Sequence, residues 1–561
     1  MNASQIKNLF WSSKSIYLCV LFLLNPVVWF FSSRISGALP DTISYLVLAD
    51  SIFQNGKLFV AHWGHIDSGL ILPPVYPALI SLGNFLSADS LVNAQFISHL
   101  LILLSTFPLF CFLAKHTTRN VAFFSVLGIQ LNYYYSFFGF APLTEATFIF
   151  TLSTGFWLLS KALNGSKQRW LFLLGCFTCL VFLTRQIGGV FLLLSCLLFL
   201  LPLLKKGPGK RKAIRDLAAI LSGFFIIMAP YSLVLFEQTG QLPFAQGFRL
   251  MEYAVSEDTA PPQKVSLKGF ENQTSYYKNW VIRRIERQLI PDASEMYSYL
   301  RSGQKDSFAD SALSKVTNVE RLARNTANNL DFLKEATGLP LLLLFILTPI
   351  SIRWVKTRDV PVNIRLILPG FILLYVTVVT ILSGSIGRYL YVLFPFIYTS
   401  VLMESYFTFR FLRENMTAGF RPEIMSILLC VLVIFSTPKY FTSLDFKNHA
   451  DEYSALIRDC GKHINSNDPV FSTHQNNVYL LGGNYRVLPN DSLERISIYA
   501  EKTGVKWLFF VGTEADQYEL YHYYFSDWRN QLSGLHETYP EYVSLQCAHP
   551  EKSIYLYKFT Y

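Results

Sequence analysis

The chain has 561 residues, 52% of them hydrophobic and 15% charged, with 48 Phe and 31 Tyr. Water-soluble domains carry about a quarter charged residues, and here the apolar residues come in blocks long enough to cross about 30 Å of hydrocarbon, so a soluble globular protein is excluded. The formal charge of +10 would suit a nucleic-acid binder, but the basic residues gather in short linkers between apolar blocks, which excludes that class too.

Hydropathy predicts about eleven spans, at 15–33, 91–114, 120–138, 143–161, 170–184, 187–204, 217–236, 339–353, 364–383, 389–405 and 423–438. The basic linkers are Lys115/Arg119, Lys161/Lys167/Arg169, Lys205–Arg215, Arg353/Lys356/Arg358 and Arg410/Arg413/Arg421. Counted from an N-terminus carrying Lys7 and Lys14, every one of them falls on the same side, the positive-inside pattern. The charge is therefore a topology signal. It sets the N-terminus in the cytoplasm and segments 34–90, 237–338 and 441–561 on the outer side. No small-residue cleavage site follows the first apolar run, which reads as a retained span.

The first outer loop opens with PDTISYLVLADSIFQNGKLF (40–59). Pro40 suits a helix start, and the i, i+4, i+8 spacing of Asp41, Tyr45 and Ala49 puts them on one face. Asp41 has two readings, stabilisation of the helix N-terminus or chemistry. Further on, HWGHIDSGLILPPVYPALI (62–80) holds His62, His65 and Asp67. That loose pattern leaves a divalent metal open without specifying one; it reads better as an aromatic-rich substrate edge, followed by a stiff Pro73-Pro74.

Within the membrane body the informative residues are ionisable groups that the positive-inside rule leaves unexplained, since each costs about 2.5–3.5 kcal/mol at mid-span. Glu145, in FAPLTEATFIF, falls in the first turn of a helix opened near Pro142, where a carboxylate is favoured in any case. Arg185, in VFLTRQIGGVFLL, interrupts two apolar runs. Snorkelling explains its tolerance but not its presence, and an anionic partner is expected. The insertion at 237–338 is polar, with SYYKNWVIRRIERQLI (275–290) reading equally as an interfacial helix or a half-buried one. Arg388, beside Tyr389 in SGSIGRYLYVLFPFIY, completes the set. Topology assigns Asp41, Glu145, Arg185 and Arg388 to the outer end, and guanidinium groups match phosphate through paired hydrogen bonds. Together they suggest a polar site for a phosphate-bearing ligand at the membrane surface.

The tail (441–561) alternates strand-like runs at 469–473, 478–483, 505–512 and 553–559 with helix-like stretches near 452–464 and 492–503, the pattern of a small α/β domain. It has no Gly-rich phosphate loop and no metal-spaced cluster, so a supporting or acceptor-positioning role is expected. Six of the eight cysteines lie in apolar spans and read as packing residues. Cys460 and Cys547 share the outer tail, where a disulfide is permitted, but sequence does not show that they meet.

Taken in order, these pieces resemble the GT-C superfamily of integral-membrane glycosyltransferases, in particular the bacterial branch related to the protein O-mannosyltransferases and the lipid A aminoarabinose transferase. The residues that carry the resemblance are Asp41, Tyr45, Ala49 and Gly56, then Pro73-Pro74-x-Tyr76-Pro77, Thr144-Glu145, Leu183-Thr184-Arg185, and Gly387-Arg388-Tyr389 with Pro395. The likeness implies an all-α polytopic membrane bundle over 1–440 and a small extracytoplasmic α/β domain over 441–561. It further implies a bacterial cytoplasmic-membrane enzyme that moves a sugar from a polyprenyl-phosphate donor to a lipid, glycan or protein hydroxyl, with inversion; no cofactor is specified, and a divalent metal stays open. Asp41 would be the catalytic base and Glu145 a second catalytic acid group. Arg185, Arg388 and Tyr389 would bind the donor phosphate, and Tyr45, His62, His65 and Tyr76 would line the substrate.

One departure stands out. Many relatives carry Asp-Glu in the first-loop motif, whereas Thr42 follows Asp41 here, which weakens the case for a metal held by paired acids. A WWDYG-like run, as in oligosaccharyltransferase catalytic subunits, is also missing. The alternatives are a flippase for lipid-linked sugars, which would place its charges nearer the midplane, and a polysaccharide polymerase or ligase using the same donor class.

Overall fold

In hydrocarbon every backbone polar group must be satisfied within its own segment, so the apolar blocks fold as helices. The computed structural model describes residues 16–24, 40–60, 72–87, 89–164, 168–204, 210–240, 319–355, 362–382, 387–415, 421, 424, 428, 447–466, 468–472, 475–489, 493–511 and 533–561. Among these, five helices are long and apolar enough to cross a membrane: Ser90–His116, Thr144–Leu163, Lys210–Thr239, Ile364–Ile381 and Tyr389–Asn415. A sixth is counted if Asn325–Thr337 and Leu339–Trp354, bent by 112°, form one broken span. The bend falls on Gly338, whose φ of 77° suits a residue without a Cβ.

The expected eleven spans are therefore not all confirmed, and the reasons are local. The block at 120–138 divides into Arg119–Gln130 and Tyr133–Phe140 because the Asn132 side chain accepts from the Tyr135 amide and caps a new helix. The blocks at 170–184 and 187–204 form the shorter helices Gln168–Thr184 and Gly189–Leu204, separated by a 3-10 turn at Gln186–Gly188. Most of 15–33 and 423–438 lies outside the described residues, as does segment 275–290.

Small residues set the closest helix crossing. A Cβ on Gly175 would come within 2.0 Å of the Ile220 carbonyl oxygen, and one on Gly223 within 2.0 Å of the Phe172 carbonyl oxygen. The helices Gln168–Thr184 and Lys210–Thr239 thus touch backbone to backbone at a reciprocal pair of glycines, an arrangement that gains packing where lipid offers no hydrophobic drive. Aromatic edges fill the bundle core, with Phe156 at 5.1 Å from Phe191, 5.2 Å from Phe371 and 5.3 Å from Phe396, measured between ring centroids.

The first-loop segment forms a helix, Pro40–Asn55, followed by Val75–Gly83. Asp50 fixes the first of these to the N-terminal end of Ser90–His116. Its Oδ1 accepts from Asn84 Nδ2 at 3.0 Å and from Ser90 Oγ at 2.5 Å, while Asn93 Nδ2 donates to Asn84 Oδ1 at 2.8 Å. A second tie comes from Gln238, which accepts from the Leu58 amide at 2.8 Å and donates to the Gly56 carbonyl at 3.1 Å.

The tail holds a five-stranded sheet of order β2-β1-β3-β5-β4, with β1 at Pro469–Ser472, β2 at Asn484–Val487, β3 at Trp507–Val511, β4 at Val543–His549 and β5 at Ile554–Phe559. Its β2-β1-β3 half is parallel and its β3-β5-β4 half antiparallel. Strands were expected at three of these places. The fourth expected strand, VYLLGG, is instead the end of a helix, Gln475–Leu481, stopped at Gly482 with φ of 86°; a short apolar run does not by itself tell strand from helix. Cys460 and Cys547 are joined in a disulfide that ties the Lys447–Gly461 helix to β4. Ile457, Cys460, Val478 and Leu481 bury against Ile43, Leu46 and Ala49, so the tail packs directly on the first-loop helix.

Candidate active site

Three separate helices bring their ends together around Arg185. The helix Thr144–Leu163 starts after an extended Leu143 that offers no side-chain cap, which leaves the first-turn amide groups beside Glu145. Arg185 follows the last residue of Gln168–Thr184 in an extended conformation, φ −150° and ψ 128°, and its Nη1 lies 3.0 Å from Glu145 Oε1. Both side chains are buried, at 7% and 1% exposure, so water does not take the place of either partner. The third contributor is the short helix Gly387–Tyr391. The Tyr389 ring stacks on the guanidinium with its centroid 4.3 Å from Cζ, and Phe148 lies at 5.9 Å on the same cation. Tyr375 donates its hydroxyl to the Tyr389 carbonyl at 3.1 Å and so holds that ring's backbone.

The first-loop helix closes the group. Tyr45 and Tyr375 lie within range of the Arg185 charge, and Tyr45 meets the edge of Tyr76 at 5.7 Å. Asp41 stands one helical turn before Tyr45 on the same face; the structure describes its backbone and not its side chain, and the same holds for Arg388. His62 and His65 lie outside the described residues. Of the expected site residues, then, Tyr45, Glu145, Arg185 and Tyr389 are brought together. Tyr76 belongs to the wall behind them, since it is fully buried with its hydroxyl 3.1 Å from the Ala94 carbonyl and 2.8 Å from Ser98 Oγ.

The pairing alters the chemistry expected of these groups. Arg185 meets its anion within the protein, and that anion is Glu145. Among the described residues, the only metal-spaced group is Cys460, Cys547 and His549, and its two sulfurs are spent in the disulfide. Nearby, burial raises the Asp50 carboxyl above the usual range, opposed by the hydrogen bonds from Ser90 and Asn84.

Sequence reading missed two carboxylates. Glu335 accepts the hydroxyls of Tyr134 at 2.7 Å and Tyr391 at 2.6 Å. At a different place, Glu404 takes Arg365 in a fully buried ion pair, with Nε at 2.9 Å and 3.2 Å from its two oxygens and Nη2 also bonded. Phe407 faces that guanidinium at 5.1 Å, and Ser351 donates to Glu404 at 3.3 Å. Nothing in the periodicity around Glu335 distinguishes it from an ordinary solvated helix residue.

Residues 72–236 match the family described as dolichyl-phosphate-mannose-protein mannosyltransferase. In structure the chain is similar to the oligosaccharyltransferase of Archaeoglobus fulgidus, solved in complex with Zn and sulfate, with a TM-score of 0.53 and 12% identity over 96% of this chain and 72% of that one. It is also similar to ArnT from Cupriavidus metallidurans, solved bound to undecaprenyl phosphate, with a TM-score of 0.45 and 11% identity over 96% and 97% of the two chains. No curated protein sequence matches. The family match, over that stretch, and the likeness of fold make the chain similar to membrane glycosyltransferases of the GT-C class. Its likeness within that class is to the mannosyltransferase type, over the stretch that contains Tyr76, Glu145 and Arg185.

Proposed function

We infer that this chain transfers a sugar from a polyprenyl-phosphate donor to a hydroxyl of a lipid, glycan or protein acceptor at the outer face of a bacterial cytoplasmic membrane, with inversion. The observation that carries the reading is the junction of Glu145, Arg185 and Tyr389, drawn from three helices and closed by Tyr45, one turn from Asp41. The name of the matching family supports the donor class, since dolichyl phosphate is a polyprenyl-phosphate sugar carrier.

In this reading Asp41 is the general base. It takes the proton of the acceptor hydroxyl as that oxygen attacks the anomeric carbon, and the glycosidic bond to phosphate breaks on the opposite face. A single base facing a phosphate leaving group needs no carboxylate nucleophile, and the anomeric configuration inverts. Charge grows on the departing phosphate, where fixed cations are worth most. Because Glu145 already neutralises Arg185, the net positive charge that attracts the donor falls to Arg388, whose short helix also presents Tyr389 to Arg185. Glu145 therefore orients and compensates Arg185, and the proton transfer rests on Asp41. The insertion at 237–338 and the tail packed on the first-loop helix are the parts left to choose the acceptor.

The test is release of free polyprenyl phosphate from radiolabelled polyprenyl-phosphate sugars by membranes holding wild type or Asp41→Asn at matched expression. Release by wild type that falls at least about 100-fold in the variant, the scale of a lost general base, supports the reading. Equal release moves the base away from Asp41, and passage of the intact donor across the bilayer without release replaces transfer by transport.

A further inference from the structure

We propose that Glu335 is a positioning residue of the donor site, whose carboxylate clasps Tyr134 and Tyr391 at once and thereby sets the short helix that carries Arg388 and Tyr389. The assignment rests on the donor-site reading given above and extends it to a residue outside the motifs that carry the family likeness.

Three parts of the chain far apart in sequence meet at this carboxylate. Glu335 sits in the last turns of Val319–Thr337, just before the 112° bend at Gly338. Tyr134 belongs to Tyr133–Phe140 and Tyr391 ends Gly387–Tyr391. The Tyr134 hydroxyl donates to Oε1 at 2.7 Å and the Tyr391 hydroxyl to Oε2 at 2.6 Å, and the two phenol rings lie 4.3 Å apart. Phe332, one turn earlier on the same helix as Glu335, meets the Tyr391 ring at 6.1 Å, and Asn132 Nδ2 donates to the Ala336 carbonyl at 3.3 Å. The junction is therefore packed as well as hydrogen-bonded.

The chemistry of the junction asks for a carboxylate. Two phenol hydroxyls arrive side by side, each donating to its own oxygen of Glu335, so a carboxylate makes both bonds charge-assisted. An amide can still meet both hydroxyls, its oxygen accepting from one and its NH2 donating to the other, but neither bond is charge-assisted. An aspartate keeps both acceptors but is shorter by a methylene, and its reach fails before its chemistry does.

The consequence falls on the donor side of the site. Gly387–Tyr391 is five residues long, too short to hold itself as an isolated helix, and it presents Tyr389 to the Arg185 guanidinium. Its middle is held by Tyr375 through the Tyr389 carbonyl and its end by Glu335 through Tyr391. With the second hold released, the segment keeps its sequence but loses its fixed placement over Arg185. Donor binding weakens, while Asp41, on another helix, is untouched.

The experiment uses the full-length protein in membranes and reads KM and kcat separately for a polyprenyl-phosphate sugar, together with the unfolding midpoint in detergent. Glu335→Gln and Tyr391→Phe are each expected to raise the donor KM roughly tenfold, the loss of one charge-assisted hydrogen bond, with kcat within about twofold of wild type. The double variant is expected to be no worse than the poorer single, because both changes remove the same link. Tyr391→Phe keeps the ring packing and so remains informative where Glu335→Gln folds poorly. A lowered midpoint with unchanged KM assigns Glu335 a merely structural role and overturns the proposal, as does a fall in kcat alone. If wild type releases no polyprenyl phosphate, the donor-site reading itself fails, an outcome distinct from either.

Discussion

Replacing Glu145 by Gln removes the carboxylate paired with the buried Arg185, and the size of the effect follows from the geometry. Two unit charges 3.0 Å apart attract by about 5 kcal/mol at an effective dielectric of about 20. Part of that attraction is already spent on desolvating both groups, so the pair contributes little net stability. Breaking it is another matter, because it leaves Arg185 charged and buried, and such losses run to about 3–5 kcal/mol. Glu145→Gln and Arg185→Gln should therefore each lower the unfolding midpoint of the detergent-solubilised protein sharply. The double variant, with no buried charge left to compensate, should recover most of the loss. Activity behaves differently, and release of polyprenyl phosphate should stay low in all three. One further arm separates a structural pair from a pair beside a phosphate site. Polyprenyl phosphate supplies the missing negative charge, so it should raise the midpoint of Glu145→Gln more than that of wild type, in the way any ligand stabilises the state it binds. The reasoning is refuted if the two single losses simply add in the double variant, or if the lipid phosphate stabilises wild type and Glu145→Gln alike.

Two other outcomes follow from the parts that hold the first-loop helix in place. Burial raises the Asp50 carboxyl, so the folded protein binds that proton more tightly than the unfolded chain, and stability from this group falls as pH rises from the unfolded value of 3.8 through the raised folded one. At neutral pH Asp50→Asn, whose amide oxygen still accepts from Asn84 and Ser90, should be neutral or stabilising and should flatten the acid limb of a midpoint-against-pH curve. Asp50→Ala should instead lose about 1–3 kcal/mol by stranding the two donors; equal midpoints for the Asn and Ala variants would show that this network does not hold the helix. The Cys460–Cys547 link spans a sequence separation of 87, for which chain entropy gives about 4–5 kcal/mol. Cys460→Ser should leave the tail open to limited proteolysis and, through its packing on the 40–55 helix, lower transfer activity; a protease-resistant tail in that variant would contradict this.

Much of the membrane body was legible because its signals are long and repeated. Blocks of apolar residues specify helices without reference to tertiary contacts. What they do not specify is where a helix breaks. At 131–132 the hydropathy runs on, but Asn132 turns its side chain to the Tyr135 amide, and one expected span becomes two helices. In the tail, VYLLGG reads as a strand by its residue types, yet Gly461 packs against the Leu481 carbonyl so closely that a Cβ there would come within 2.5 Å. The segment is held as a helix by a neighbour that no local pattern reveals.

The site was legible where a charge stood out against its surroundings. Glu145 and Arg185 were conspicuous as lone ionisable groups at the ends of apolar runs, and each proves to be the other's partner. Glu404 and Arg365 form the same kind of pair, equally buried, and were passed over. The difference lies in what else could explain them. Arg365 follows Arg353, Lys356 and Arg358, where the positive-inside rule accounts for any arginine, so nothing about it asks for a partner. Glu404 in turn stands a few residues before Arg410 and Arg413, where an acid reads as a surface counter-charge. A rule that explains the linkers as a population thus hides an arginine beside them that turns inward. The sequence cue that remains is its place within a helix: Arg365 falls three residues past Val362, on the face that Ile364, Leu368 and Ile372 bury, and a cation on a buried stripe calls for an anion whichever side of the membrane it lies on.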